Sequence, residues 1–246
     1  MTGVSCTELP SLNHGERRGP LDMLLLHYTD MVRAEDAVAL LRDPATQVSA
    51  HYVVGEDGRV WRLVEEDRRA WHAGVAWWHG ESDINSRSIG VEICNPGHSH
   101  GYRPFPEAQM LAVMALCRDI LARHAIPPHR VLGHSDVAPG RKIDPGHLFD
   151  WRTLARAGIG LFPESLNPAT LSEADAIAAL ARIGYRTGAA SFADPVSRMA
   201  LNAFRRHWEP LALGQPFDPR GAAMLQQVAK MCGAAQKSFA SRADRS

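Results

Sequence analysis

Residues 21–28, L-D-M-L-L-L-H-Y, constrain the fold more than any other stretch. This is a nearly continuous apolar run of strand length. Such a run reads as a buried central strand, because a half-solvated strand would alternate apolar and polar residues. Its C-terminal end carries His27. In open α/β sheets, sites collect at the carboxyl ends of strands, so this imidazole stands where chemistry is done. Taken alone, it reads first as a hydrogen-bonded core histidine.

A second stretch gives His27 its interest. Residues 133–146 read G-H-S-D-V-A-P-G-R-K-I-D-P-G and hold His134, Lys142 and Asp144. Proline and glycine at this density predict a fixed loop, not helix or strand. Imidazole and carboxylate are both zinc ligands, and a catalytic zinc takes three protein ligands and one water. The loop supplies two, and His27 qualifies as the third. A surface turn with scattered polar residues is the alternative reading of the loop by itself.

Between these stretches the pattern predicts a helix over 33–42 and a hairpin from 50–54 and 59–64 around G-E-D-G. R-A-W-H-A-G, with Trp71 and His72, and W-W-H-G, with Trp77, Trp78 and His79, follow. They read equally as a groove lining or as a loop packed on the sheet. Residues 88–93, S-I-G-V-E-I, read as another buried strand whose odd member is Glu92. A carboxylate there is costly unless paired or functional, and burial raises its pKa as a general acid/base requires. Strand alternation lets Glu92 face a cleft or, alternatively, solvent. His51, Trp71, His72, Asn85 and Arg87 are taken as substrate contacts. A long helix is predicted over 106–124, a short strand over 130–133 and a short helix from 150 to about 158.

Residues 1–20 read as a polar extended arm, 21–160 as the main domain and 161–170 as a linker. Residues 171–246 read as a small three-helix domain with helices at 172–183, 195–208 and 219–231 and a frayed last dozen residues. Its helices open on S-E-A-D and on two Asp-Pro pairs, which are capping signatures. A chain ending near Glu164 is expected to keep every candidate catalytic residue and to fold.

The chain has 246 residues, 45% of them apolar, and no net charge, so a nucleic-acid partner has no electrostatic support. From Ser165 onward ten Lys/Arg face six Asp/Glu, a modest basic bias that suits an anionic polymer or ordinary surface variation. Cys6, Cys94, Cys117 and Cys232 lack C-x-x-C spacing and read as free thiols of a reducing compartment. The first twenty residues hold no apolar signal segment, so a cytoplasmic location is expected. The run 23–26 is far too short to span a bilayer.

Six fragments, L-L-L-H-Y-T, S-A-H-Y-V-V, R-A-W-H-A-G, S-I-G-V-E-I, V-L-G-H-S-D and R-K-I-D-P-G, occur in this order. The set resembles the zinc-dependent N-acetylmuramoyl-L-alanine amidases of the AmpD type over roughly residues 20–160. The resemblance implies an α/β fold, a mixed central sheet flanked by helices, shared with phage lysozyme-like amidases and peptidoglycan recognition proteins. It implies one Zn²⁺ on His27, His134 and Asp144, with Glu92 and Lys142 catalytic. In the phage-type branch a catalytic tyrosine precedes the residue matching His51; here that place is Ala50, which leaves Glu92 as base. Residues 165–246, through A-F-R-R-H-W-E-P above all, resemble a three-helix peptidoglycan-binding domain. Two-domain relatives are often exported lipoproteins. The expectation is a recycling amidase acting on muropeptides, with an exported enzyme on polymeric peptidoglycan, or a non-catalytic peptidoglycan-binding protein, as alternatives.

Overall fold

The computed structural model describes residues 4–243. The expected central strand is β3, Met23–Tyr28, with all six residues buried. Parallel neighbours flank it on both sides, β7 (Ser88–Ile93) and β8 (Val131–Gly133). The sheet continues from β7 through β4 (Tyr52–Val54) and β5 (Val60–Arg62) to β1 (Thr7–Glu8) at its far edge. The β4–β5 pair is the predicted hairpin and runs antiparallel, which makes the sheet mixed.

The N-terminal stretch is not a free arm. β1 pairs with β5, and β2 (His14–Glu16) pairs antiparallel with β6 (Arg68–Ala70). Strands of two and three residues are too short for apolar alternation to show in sequence. Residues 1–3 of that expected arm lie outside the described residues.

Alternation along β3 divides the core. Leu24 and Leu26 pack with Met110, Val113, Leu116, Cys117 and Ile120 of α3 (Glu107–Arg123). Met23 and Leu25 face the other way, into a cluster shared with α6 (Glu173–Ile183), α7 (Pro195–Trp208) and α8 (Pro219–Ala243). A third cluster lies beneath α1 (Ala34–Arg42), where Val38 and Leu41 meet Val53 and Trp61. Shorter helices are α2 (Ile84–Arg87), α4 (His134–Val137) and α5 (Trp151–Arg156).

The helices at 172–183 and 195–208 form as the caps predict: Ser172 and Asp194 accept hydrogen bonds from Asp175 N and Ser197 N. Two expectations are corrected. α8 continues to Ala243, past Met231 and through the residues expected to fray. The core stripe ends near Cys232, but alanine, glutamine and lysine carry the helix on by propensity; residues 244–246 lie outside the described part. The helical segment also shares its core with the sheet: Met23, Leu25, Leu132, Val137, Trp78 and Ile84 are buried in one cluster with Leu180, Phe204 and Leu225. Among the described residues, no helix is long and apolar enough to cross a membrane.

Candidate active site and metal centre

Strand register assembles the site. In the parallel β3–β7 pair His27 lies beside Glu92, and in the β3–β8 pair Leu26 lies beside Gly133, so His134 follows at the level of His27. Three chemically active residues therefore share one row at the carboxyl ends of adjacent strands. The loop after β8 returns Asp144 to the same point.

His27 Nδ1, His134 Nδ1 and Asp144 Oδ2 converge: the nitrogens are 2.9 Å apart, and the carboxylate oxygen lies 3.1 Å from His27 and 3.0 Å from His134. All three residues are buried. The stretch 133–146 is not wholly irregular, since His134 opens the one-turn helix α4. Asp136 closes that turn by accepting from the Gly133 N–H at 2.8 Å, a local bond that outweighs the nearby breakers.

Hydrogen bonds fix which nitrogen of each ring carries the proton. His134 Nε2 donates to the Ala73 carbonyl at 3.0 Å, so Nδ1 keeps its lone pair. For His27 the argument runs back along a chain. The Ser88 hydroxyl donates to the Ile84 carbonyl at 2.7 Å, so its oxygen accepts from His72 Nε2 at 3.3 Å. His72 Nδ1 is then an acceptor and takes the His27 Nε2–H at 3.0 Å. Both ligand nitrogens thus face the centre unprotonated, as metal ligation requires. Burial, and next the charge of His134, lower the His27 pKa to about 4. Burial raises the Asp144 carboxyl, but the two imidazoles beside it outweigh that and hold it well below the usual range.

The donor set fits zinc. Tetrahedral zinc with bonds of about 2.0–2.2 Å spaces its ligands roughly 3.3 Å apart, close to the separations found here. Nitrogen and oxygen donors behind unprotonated faces suit a divalent ion better than any apolar neighbour would. Glu92 Oε1 lies 4.0 Å from His27 Nδ1, and Oε2 is buried with no hydrogen-bond partner. Burial, reinforced by Asp144, raises the Glu92 pKa well above its ordinary value. A carboxylate kept in this state beside three ligands is poised to hold and pass a proton.

These residues open onto a cleft of about 380 Å³ whose lining includes Tyr28, Leu40, Val48, Trp71, Arg141 and Lys142. The backbone N–H of Lys142 donates to Ala138 O at 3.0 Å, while its side chain makes no hydrogen bond or ion pair with another described residue. Trp71 lines the cleft, whereas Trp78 is a core residue with 1% exposure. Of the other four expected substrate contacts, the structure brings one to the cleft and leaves three off its lining. His72 reaches the cleft, but its nitrogens are engaged by His27 and Ser88. His51 is wholly buried, its Nδ1 accepting from Gly90 N at 2.9 Å and its Nε2 donating to Arg68 O at 3.1 Å. Asn85 Oδ1 accepts from the backbone of His72 at 3.0 Å and Ala73 at 2.8 Å, fixing the two groups that brace the histidine ligands. Arg87 is held by Asp22 and Glu81. None of His51, Asn85 or Arg87 lines the cleft. Their types matched polar recognition, but His51 is buried just before β4, and Asn85 and Arg87 on α2 bond to the protein itself.

Arg141 is a cleft residue that the sequence reading missed, donating to Val75 O at 2.8 Å. Its only signal was its place beside Lys142. Tyr102, stacked on His98 at 4.3 Å and donating to Pro145 O at 2.8 Å, also escaped notice, because a loop tyrosine carries no pattern.

Comparison with known proteins bears on this geometry. The profile of the Amidase_2 family, N-acetylmuramoyl-L-alanine amidase, matches residues 17–147. N-acetylmuramoyl-L-alanine amidase AmiD of Escherichia coli is 34% identical over 238 residues, spanning 87% of this chain and 84% of AmiD. The structure of AmiD in complex with the substrate anhydro-N-acetylmuramic acid-L-Ala-D-gamma-Glu-L-Lys superposes with TM-score 0.77, at 33% identity, over 87% of this chain and 91% of that one. AmpDh3 of Pseudomonas aeruginosa gives TM-score 0.74 at 29% identity over 94% of this chain and 98% of its own. 1,6-anhydro-N-acetylmuramyl-L-alanine amidase AmpD of Haemophilus influenzae is 31% identical over 60% of this chain and 89% of its own.

Proposed function

This chain belongs to the N-acetylmuramoyl-L-alanine amidase family, and we propose that it cuts its amide bond with one zinc ion held by His27, His134 and Asp144. The observation that carries the assignment is the convergence of those three donors within 3.1 Å, in register with Glu92. The scissile bond joins the lactyl group of N-acetylmuramic acid to L-alanine. Zinc, when bound, supplies Lewis acidity that polarises the carbonyl and acidifies a water. Glu92 takes the proton of the attacking water on its unpartnered oxygen and hands it to the leaving amine. Lys142, on the cleft wall, stabilises the negative charge that develops on the carbonyl oxygen. Trp71 offers the cleft an aromatic surface for the substrate.

The substrate is a muropeptide, in the anhydro form that the AmiD complex contains, and the role is peptidoglycan recycling. Four free cysteines, three of them buried, support a reducing, cytoplasmic setting. Similarity to AmiD extends across the helical segment, which favours a second reading, action on polymeric peptidoglycan with that segment as a binding domain. Mass spectrometry of products from defined muropeptides and from purified sacculi separates the two. Release of intact peptide from the anhydro-muropeptide, with little from sacculi, is expected; the reverse order overturns the recycling role, and cleavage of any other bond overturns the reaction. His134→Ala is expected to carry no zinc in elemental analysis, and a full equivalent would remove His134 from the ligand set.

A further inference from the structure

Helix α7 grips the loop between two of the metal ligands. Asp136, two residues after His134, is completely buried. Its Oδ2 accepts from Gly133 N–H at 2.8 Å and from His207 Nδ1 at 2.7 Å, and its Oδ1 accepts from the Tyr185 hydroxyl at 2.5 Å. His207 stacks between Trp151, at 3.8 Å, and Trp208, at 4.0 Å. Trp151 in turn packs on Gly133, where a Cβ would come within 3.2 Å of the indole. Further along the loop, Gly140 has φ +78 and lies beneath Met199 of α7; a Cβ there would come within 1.9 Å of the sulfur.

A carboxylate without water is tolerated only when its oxygens are fully hydrogen-bonded. Asp136 meets that condition with one donor from its own loop and two from the helical segment. The same carboxylate fixes the Leu132–Gly133 peptide, one residue ahead of His134, so any displacement of Asp136 turns the ligand ring. Metal and catalytic sites tolerate displacements of only about 0.5 Å.

We propose that Tyr185 and His207 are positioning residues of the metal centre: acting through Asp136, they orient His134, and the helical segment is a working part of the catalytic unit. This rests on the assignment of His27, His134 and Asp144 as zinc ligands.

The test uses the full chain. Tyr185→Phe keeps the ring and removes one hydroxyl, His207→Gln removes the stacked donor, and Ile183→Val serves as a core change elsewhere in the helical segment. Zinc affinity is measured by competition with a chromogenic chelator, alongside the visible spectrum of the cobalt-substituted protein and the melting temperature. Tyr185→Phe and His207→Gln are expected to bind zinc about 10–100-fold more weakly, to shift the cobalt bands and to lower kcat with KM little changed. Ile183→Val is expected to alter the melting temperature alone. Wild-type zinc affinity and an unshifted cobalt spectrum in folded Tyr185→Phe overturn the proposal, even if His207→Gln does not fold. Absence of zinc from the unmodified protein would instead refute the ligand assignment.

Discussion

Gly90→Ala tests how tightly the metal ligands are supported. Gly90 lies in β7 beneath His72, and a Cβ there would come within 2.5 Å of His72 Cγ and 2.6 Å of both Cδ2 and Nδ1. Non-bonded carbons settle at about 3.5–4.0 Å, so the ring must retreat by about 1 Å. It has no free direction, since Nδ1 is bonded to His27 at 3.0 Å and Nε2 to Ser88 at 3.3 Å. A retreat of that size breaks at least one of these bonds. Overpacking costs about 1–3 kcal/mol and the lost bond about 0.5–1.5 kcal/mol. For a chain this long, the melting temperature falls by roughly 3–18 °C. Zinc affinity drops about 10–100-fold because His27 loses the partner that fixes its tautomer. Differential scanning fluorimetry and chelator competition measure the two effects. Gly233→Ala, with open space around its Cβ in α8, is the control and is expected to be neutral or slightly stabilising. A Gly90→Ala protein with wild-type melting and zinc affinity would refute the reasoning.

Glu92→Gln keeps the shape and removes the base, so zinc content should hold while turnover falls about 10²–10⁴-fold; near-normal turnover would assign the base elsewhere. Lys142→Ala should lose about 10²–10³-fold in kcat, by analogy with a lost oxyanion donor, and an effect confined to KM would contradict the role. Truncation after Glu164 should leave an aggregating or unfolded chain, contrary to the sequence expectation. It uncovers Met23, Leu25, Leu132, Val137, Trp78 and Ile84, at about 1.5–3 kcal/mol each, comparable with the entire stability of a typical domain; a monomeric, cooperatively melting fragment would disprove this. Metal-free protein should lose stability as pH falls from about 6.5 towards 4. Burial first, then neighbouring charge, lowers the pKa of His27 to about 4, of His51 to about 3 and of His129 to about 4. In that window the unfolded chain binds protons that the fold refuses, so each histidine costs up to about 1.4 kcal/mol per pH unit as pH drops. Glu92, its pKa raised by burial, acts with the opposite sign but is outnumbered. A melting temperature constant between pH 7 and pH 5 would count against it.

The candidate ligands, the candidate base and the central strand were legible in the sequence because each lies in a short stretch whose pattern is local. An apolar run ends in His27, a carboxylate interrupts S-I-G-V-E-I, and breakers surround His134 and Asp144. The first two helices of the helical segment were legible for the same reason, since caps and helical periodicity act over a few residues. What surrounds the ligands was not legible. His72, His51, Asn85 and Arg87 have the chemistry of substrate contacts, and only tertiary packing decides which partners they meet: His27 and Ser88, Gly90 and Arg68, the backbone at 72–73, and Asp22 with Glu81. The short strands near the N-terminus depend on partners more than fifty residues away. The division into two domains followed a change of pattern near residue 161, but the face of β3 that carries Met23 and Leu25 is apolar whichever segment covers it. Composition specifies that such a face must be buried; three-dimensional packing decided that α6, α7 and α8 bury it, and that Tyr185 and His207 thereby meet Asp136 behind the metal centre.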